Sequence, residues 1–152
     1  CVVTNLPYYI TSKIITKIVS SSTPINRLVA MVQKEVALKL CSEEKSPLKM
    51  MIDYVGDVQY ELNVPRHVFM PAPHVDSAVI SIHKERVISQ ELIDLIEASY
   101  TAKRKTLYNN LKSLYHDQTK EVLESCGIPA NKRAEELNID DYIRILERSH
   151  TL

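Results

Sequence analysis

Asn5-Leu6-Pro7-Tyr8-Tyr9 sets a side-chain amide, a proline and two aromatic rings side by side. These groups can hold a planar base by its exocyclic amine. The asparagine oxygen and a carbonyl fixed beside the proline accept the amine's hydrogens, and a tyrosine ring offers a stacking surface for a flipped base. When such an amine acts as a nucleophile its nitrogen gains positive character, so the same acceptors stabilise the transition state more than the ground state. No covalent nucleophile or metal is required. A base-edge contact is worth roughly 1–3 kcal/mol and a stacked aromatic about the same, enough together to offset the few kcal/mol of unstacking. Taken by itself, the stretch also reads as an ordinary strand-to-helix turn, because Asn and Pro are common turn formers.

Other residues bear on the same chemistry. Phe69 is the only phenylalanine, in a connection stiffened by Pro65, Pro71 and Pro73, where it can close the second face of a base or serve as a core ring under the loop. His67 and His74 flank it without a partner carboxylate or a second ligand, which favours surface or loop-packing roles over catalysis. Lys103-Arg104-Lys105, opening a helix that also carries Lys112, is the strongest local positive patch. It suits RNA phosphates, which lysine and arginine grip without reading sequence, and it also suits a solvated helix face. Arg133 beside Glu135 and Glu136 reads as structural pairing, and Lys34-Glu35 as helix-start charge rather than part of a site.

Cys1 to Thr4 is apolar and β-branched, a strand that Pro7 ends. Thr11 or Ser12 caps a helix with Ile14, Ile15, Ile18 and Val19 on one face, and Leu28 to Val32 has the unbroken apolar character of a parallel strand. Strand, helix, strand makes a βαβ unit, and Asn5 then falls at the strand end where open α/β sheets bind ligands. A helix is expected over 34–40, with Val36, Ala37 and Leu40 inward, then strand over most of Met50 to Leu62 and a last strand over Val75 to His83. Beyond Arg86 the pattern is helical only. Ser89 caps a helix bearing Leu92, Leu95 and Ile96; Leu107, Leu111 and Leu114 mark a second; Val122 and Leu123 lie in a third that Gly127 stops; and Asn138 with Asp141 forms a capping box for a fourth, with Tyr142, Ile145 and Leu146 on one side. The expected division is 1–86, half of an α/β domain, and 87–152, a helical domain.

With 152 residues and 45% hydrophobic content the chain can build a real core. Nineteen basic residues balance nineteen acidic ones, so any nucleic-acid surface must be local. Cys1, Cys41 and Cys126 form no C-x-x-C pair and the five histidines no ligand spacing, so neither a disulfide framework nor a metal site is expected; Cys41 and Cys126 read as small buried groups. No apolar run reaches membrane-spanning length, and the odd thiol count without a charged-then-apolar leader fits a reducing cytoplasm. A first residue in mid-strand suggests a fragment.

At four ordered places the chain resembles the bacterial small-subunit ribosomal RNA adenine N6,N6-dimethyltransferase family, the kasugamycin-sensitivity methyltransferases. Thr4-Asn5-Leu6-Pro7-Tyr8-Tyr9-Ile10 is similar to the family's catalytic loop, and Met31-Val32-Gln33-Lys34-Glu35-Val36-Ala37 to its next strand and helix. Val68-Phe69-Met70-Pro71-Ala72-Pro73-His74-Val75-Asp76-Ser77-Ala78-Val79 resembles its proline loop and final strand. Ala102-Lys103-Arg104-Lys105-Thr106-Leu107-Tyr108-Asn109-Asn110-Leu111, then Gly127-Ile128 and Arg133-Ala134-Glu135-Glu136-Leu137, match its helical part.

The resemblance implies the second half of a Rossmann-like, S-adenosylmethionine-dependent methyltransferase sheet followed by a small all-α domain. It implies transfer of methyl groups to N6 of two adjacent adenines in 16S-type RNA of the small ribosomal subunit. Asn5 and Pro7 would hold the amine, Tyr8 would stack, Phe69 would close the other face, Asn5 would border the cofactor, and Lys103, Arg104, Lys105 and Lys112 would bind RNA. The family's glycine-rich cofactor turn is missing, since the only glycines are Gly56 and Gly127. The chain alone is therefore expected to be inactive, and its first strand to leave an open edge that favours self-association. Two other readings stay open: a macrolide-resistance type methyltransferase of large-subunit RNA, and a non-catalytic RNA-binding assembly factor of the same fold. A DNA adenine methyltransferase ranks behind them, because of the helical part.

Overall fold

The computed structural model describes residues 1–5, 11–23 and 25–152, which divide into two compact units. The first comprises residues 1–44 and 52–88, the second residues 45–51 and 89–152.

The first unit is built on a four-stranded sheet in the order β1-β2-β4-β3, from β1 (Val2–Asn5), β2 (Arg27–Gln33), β3 (Gly56–Val64) and β4 (Ser77–Lys84). β1 and β2 run parallel, joined through helix α1 (Thr11–Val19), so the expected βαβ unit is present. β4 is antiparallel to both its neighbours. Its inward row, Ala78, Ile80 and Ile82, lies against Leu28, Ala30 and Val32 in register and is fully buried. Helix α2 (Lys34–Cys41) follows β2 without a break and packs on β2, β3 and β4 through buried Ala37 and Leu40.

The buried Lys84 ends β4 by donating its ammonium hydrogens to the carbonyls of Ile18, at 3.4 Å, and Ser21, past the last turn of α1. A cation there satisfies carbonyls that the helix end leaves open, while burial holds its pKa below the usual lysine value.

The expectation of strand over Met50 to Leu62 is corrected. Residues 47–55 form helix α3 (Pro47–Val55), and the strand begins only at Gly56. Leu48, Met51, Ile52 and Val55 repeat at helical spacing and are all buried, Pro47 suits a first helical position, and the Ser46 hydroxyl accepts from the Lys49 amide at 3.1 Å. Gly56 marks the switch because its backbone lies hard against His83: an added Cβ would stand 1.8 Å from the His83 carbonyl oxygen. Cys41 is also corrected, being exposed at the end of α2, whereas Cys126 is buried.

The second unit packs α4 (Gln90–Ser99) on α5 (Leu107–Tyr115) and α7 (Ile139–Thr151), with α6 (Thr119–Ser125) against α5 and α7. The caps act as expected: Ser89 accepts from Leu92 at 3.2 Å, and Asn138 and Asp141 exchange bonds at 3.0 and 3.1 Å. Gly127 takes φ 71° after α6, a conformation glycine adopts without strain. At the centre Tyr142 is fully buried, its hydroxyl 2.8 Å from the Ser99 hydroxyl.

Burial pushes the Tyr142 phenol well above its usual ionisation range, and Tyr100 and Tyr115 shift the same way for the same reason. A raised folded-state pKa contributes stability that is complete below the unfolded value of about 10 and is lost as pH rises beyond it. Tyr142→Phe is therefore expected to cost about 1 kcal/mol at pH 9 through the lost hydrogen bond. Denaturant unfolding at pH 9 and pH 11 should show that deficit shrinking at the higher pH; an unchanged deficit would disprove the account.

Candidate functional site

Three groups of residues carry the expected chemistry. Asn5 is the last residue of β1, exposed and opposite Met31 of β2. It stands at the carboxyl end of the parallel pair, where backbone groups leave the ladder and ligands are met. Pro7 and Tyr8 lie outside the described residues. Phe69 follows a short 3-10 turn (Arg66–Val68) in the β3–β4 connection and is partly exposed. Because Ser77 pairs with both Gln33 and Val64, that connection emerges at the same end of the sheet as Asn5. β4 is two strand spacings from β1, roughly 10 Å.

The connection is tied down by few bonds. The Arg66 amide donates to the Asp76 carboxylate at 2.9 Å, the Arg66 guanidinium donates to the His74 carbonyl at 3.2 Å, and the Lys34 amide donates to the Asp76 carbonyl at 3.0 Å. Asp76 thus joins the loop to the start of α2. His67 and His74 are exposed.

A cleft of about 750 Å³ opens between α2 and this connection, lined among others by Lys34, Leu38, Arg66, His74 and Val75. No group of acidic, histidine or cysteine residues able to hold a metal ion is found among the described residues. Nor is there among them a cradle for S-adenosylmethionine: Gly56 is committed to the sheet and Gly127 to a helix end, so these residues alone do not fit that cofactor.

In the second unit the basic residues sit differently from the expectation. Lys103, Arg104 and Lys105 do not open the helix but form an exposed turn ahead of it, because Thr106 is the cap of α5 and accepts from the Asn109 amide at 3.4 Å. Lys112 stays on α5, exposed, with its ammonium 4.9 Å from the centre of the Tyr108 ring. Asn110, which the sequence reading did not single out, holds the turn: its buried side-chain amide donates to the carbonyls of Ser99 at 2.7 Å and Ala102 at 3.1 Å. The available signal was a polar residue in the buried row Leu107, Asn110, Leu111, where an asparagine needs partners. Of the Arg133 group, Glu136 has a structural role: it accepts from the Arg133 main-chain amide at 2.7 Å and pairs with Lys132 at 3.7 Å.

A parallel βαβ pair extended by an antiparallel strand, with an exposed asparagine at the carboxyl end and helices beyond, is the second half of a Rossmann-like methyltransferase sheet followed by a small helical part. The family model for ribosomal RNA adenine dimethylase matches residues 1–150, and the chain belongs to that family. A ribosomal RNA small subunit methyltransferase A of Fusobacterium nucleatum is 37% identical over 96% of this chain, which spans 60% of that protein. A protein of the same name from Mesoplasma florum is 33% identical over 97% of the chain, again spanning 60% of the relative. A dimethyladenosine transferase structure from Plasmodium falciparum superposes with a TM-score of 0.81 at 24% identity, over 99% of this chain and 67% of that one. The 23S rRNA methyltransferase ErmE superposes with a TM-score of 0.64 at 22% identity, over 97% and 64%. The chain thus spans less than two thirds of the length of these curated relatives.

Removing the Asn110 amide takes its donor from the buried Ser99 carbonyl, while the half-buried Ala102 carbonyl keeps the Lys105 amide at 3.0 Å, so Asn110→Ala should lower unfolding stability by about 1–3 kcal/mol. Asn110→Leu, which restores volume without donors, should not recover it. Urea midpoints decide, and a leucine variant as stable as wild type would refute the role given to the amide.

Proposed function

We propose that this chain is the substrate-holding part of an S-adenosylmethionine-dependent ribosomal RNA adenine N6,N6-dimethyltransferase acting on two adjacent adenines of small-subunit, 16S-type RNA during ribosome biogenesis in the cytoplasm. The observation that carries the reading is the position of Asn5, exposed at the carboxyl end of β1 in a chain that matches the dimethylase family along its length. There its side-chain oxygen accepts a hydrogen of the target amine. Pro7 supplies a second acceptor from the backbone beside it, Tyr8 stacks on the base, and Phe69 closes the opposite face. Residues 87–152 form the RNA-recognition part, with the exposed Lys103, Arg104, Lys105 and Lys112 on phosphates.

The relatives bearing the small-subunit name support the 16S-type substrate. The cofactor is held by parts of the fold that these 152 residues do not supply, so the chain alone is inactive.

The test is methylation of 30S particles from a strain lacking the modification. The 152-residue chain should transfer nothing, whereas the same sequence extended to its relatives' length should dimethylate 16S RNA. Asn5→Ala in the extended protein should lower the rate by roughly 10²-fold or more, as for loss of a transition-state acceptor, and leave particle binding unchanged. Unchanged methylation would leave only a binding role; modified large-subunit RNA would establish the other substrate.

β1 has one neighbouring strand among the described residues, and Val3 is 75% exposed on it. We further propose that the chain self-associates through this edge. Sedimentation should show a concentration-dependent dimer or larger species, which Val3→Lys reduces; a monomer at all concentrations refutes it.

A further inference from the structure

Three cations, three carboxylates and two exposed apolar side chains meet in one cleft, a combination that the amine-holding site does not use. Lys34 and Leu38, four residues apart, stand on one wall formed by α2, and Arg66, His74, Val75 and Asp76 on the other. Leu38 is 52% and Val75 44% exposed, although each lies beside a well-packed element. The charges are unequally engaged. Glu35 pairs with Lys39 at 3.3 Å, and the Asp76 carboxylate takes the Arg66 amide. Arg66 gives one guanidinium nitrogen to the His74 carbonyl and keeps the rest of its fork, and the Lys34 ammonium meets no carboxylate within ion-pair distance among the described residues. Across the whole lining Lys34, Lys39 and Arg66 balance Glu35, Glu44 and Asp76, so the pull on an anion is local, at the Lys34 ammonium and the open side of the Arg66 fork.

We propose that this cleft binds one nucleotide of the RNA strand that flanks the target adenine, its phosphate on Lys34 and Arg66 and its base or sugar against Leu38 and Val75. The guest must combine an anion with a flat or apolar body, and a nucleotide does. Place supports the assignment. Asn5 lies opposite Met31 and Lys34 follows three residues later, which puts the cleft roughly 11 Å from Asn5 at the same end of the sheet. An everted base leaves its neighbours in the strand unstacked, and a nearby pocket recovers part of that loss. The Lys34 to Asp76 bond holds the two walls together before any strand arrives, so little ordering is needed on binding.

This inference rests on the RNA-directed reading above, and the test separates the two. The 152-residue chain is titrated with a fluorescent single-stranded hexaribonucleotide containing two central adenines, over a range of salt. Lys34→Gln is expected to weaken binding 3- to 10-fold and to reduce the slope of log K against log salt by about 0.7, the value for one phosphate contact on a single strand. Leu38→Ser is expected to weaken binding to a similar degree with no change of slope. Melting temperatures check that both variants stay folded. Wild-type affinity and slope in both variants, with loss of binding in Lys103→Gln and Lys105→Gln, would overturn the cleft and leave the functional reading standing. An effect of Lys34→Gln without one of Leu38→Ser would overturn the nucleotide in favour of a bare phosphate contact. Absence of any RNA binding by the wild-type chain at low salt would overturn both.

Discussion

The register of β4 governs everything the first unit can do. An antiparallel strand inserted between β2 and β3 must satisfy two ladders at once and bury an unbroken apolar row, so a slip of one residue would turn Ala78, Ile80 and Ile82 outward. Its two ends are fixed by different chemistry. At one end Lys84 runs into the open carbonyls at the close of α1; at the other Asp76 takes the amide of Arg66 and offers its carbonyl to Lys34. With the strand held at both ends, the loop carrying Phe69 and the start of α2 are set beside the carboxyl end of β1. The positioning of possible substrate contacts therefore costs no separate device; it follows from strand pairing.

The helical unit reaches the same result by a buried polar chain. Tyr142 meets Ser99, the carbonyl of Ser99 takes the Asn110 amide, and Asn110 reaches on to Ala102 at the base of the basic turn. Helix packing by leucine and isoleucine alone tolerates small slides, whereas a hydrogen-bonded chain inside an apolar core has one good geometry. The consequence is a turn whose three cations project from a fixed backbone, although the side chains themselves remain free in solvent. The ordering cost of this backbone is met in folding, so none of it falls on any ligand that meets the turn.

Much of this was legible in the residues. Local signals with a short reach were read correctly: the βαβ pattern, Ser89 as a cap, the Asn138 and Asp141 box and the glycine stop after α6. What escaped depended on weighing two local signals against each other or on contacts distant in sequence. Met50 to Val55 is apolar enough for a strand, and only the spacing of Leu48, Met51, Ile52 and Val55, with Ser46 and Pro47 ahead, marks it as helix. The basic run has helix-forming residues, but Thr106 caps the helix behind it and leaves the run outside. Asn110 lies within a family-like stretch, but that stretch gives it no role of its own, because its partners are carbonyls 8 and 11 residues away. For the site, Asn5 could be placed from its strand alone, while the cleft over Leu38 and Val75 needs two segments some thirty residues apart and has no linear signature.

The neutral total charge gives these local arrangements their meaning. A strongly basic protein would be drawn to any nucleic acid by its overall field, at a rate and strength that say little about sequence or shape. Here cations are held in a defined frame in the turn before α5 and at the mouth of the cleft beside α2; Lys112 on α5 lies over the Tyr108 ring, and Lys34 shares its cleft with Leu38 and Val75. Beyond about one Debye length, roughly 8 Å in physiological salt, mobile ions largely screen such patches. An anion therefore gains from them only when it lies close, so these patches act by fit at short range and not by capture at long range.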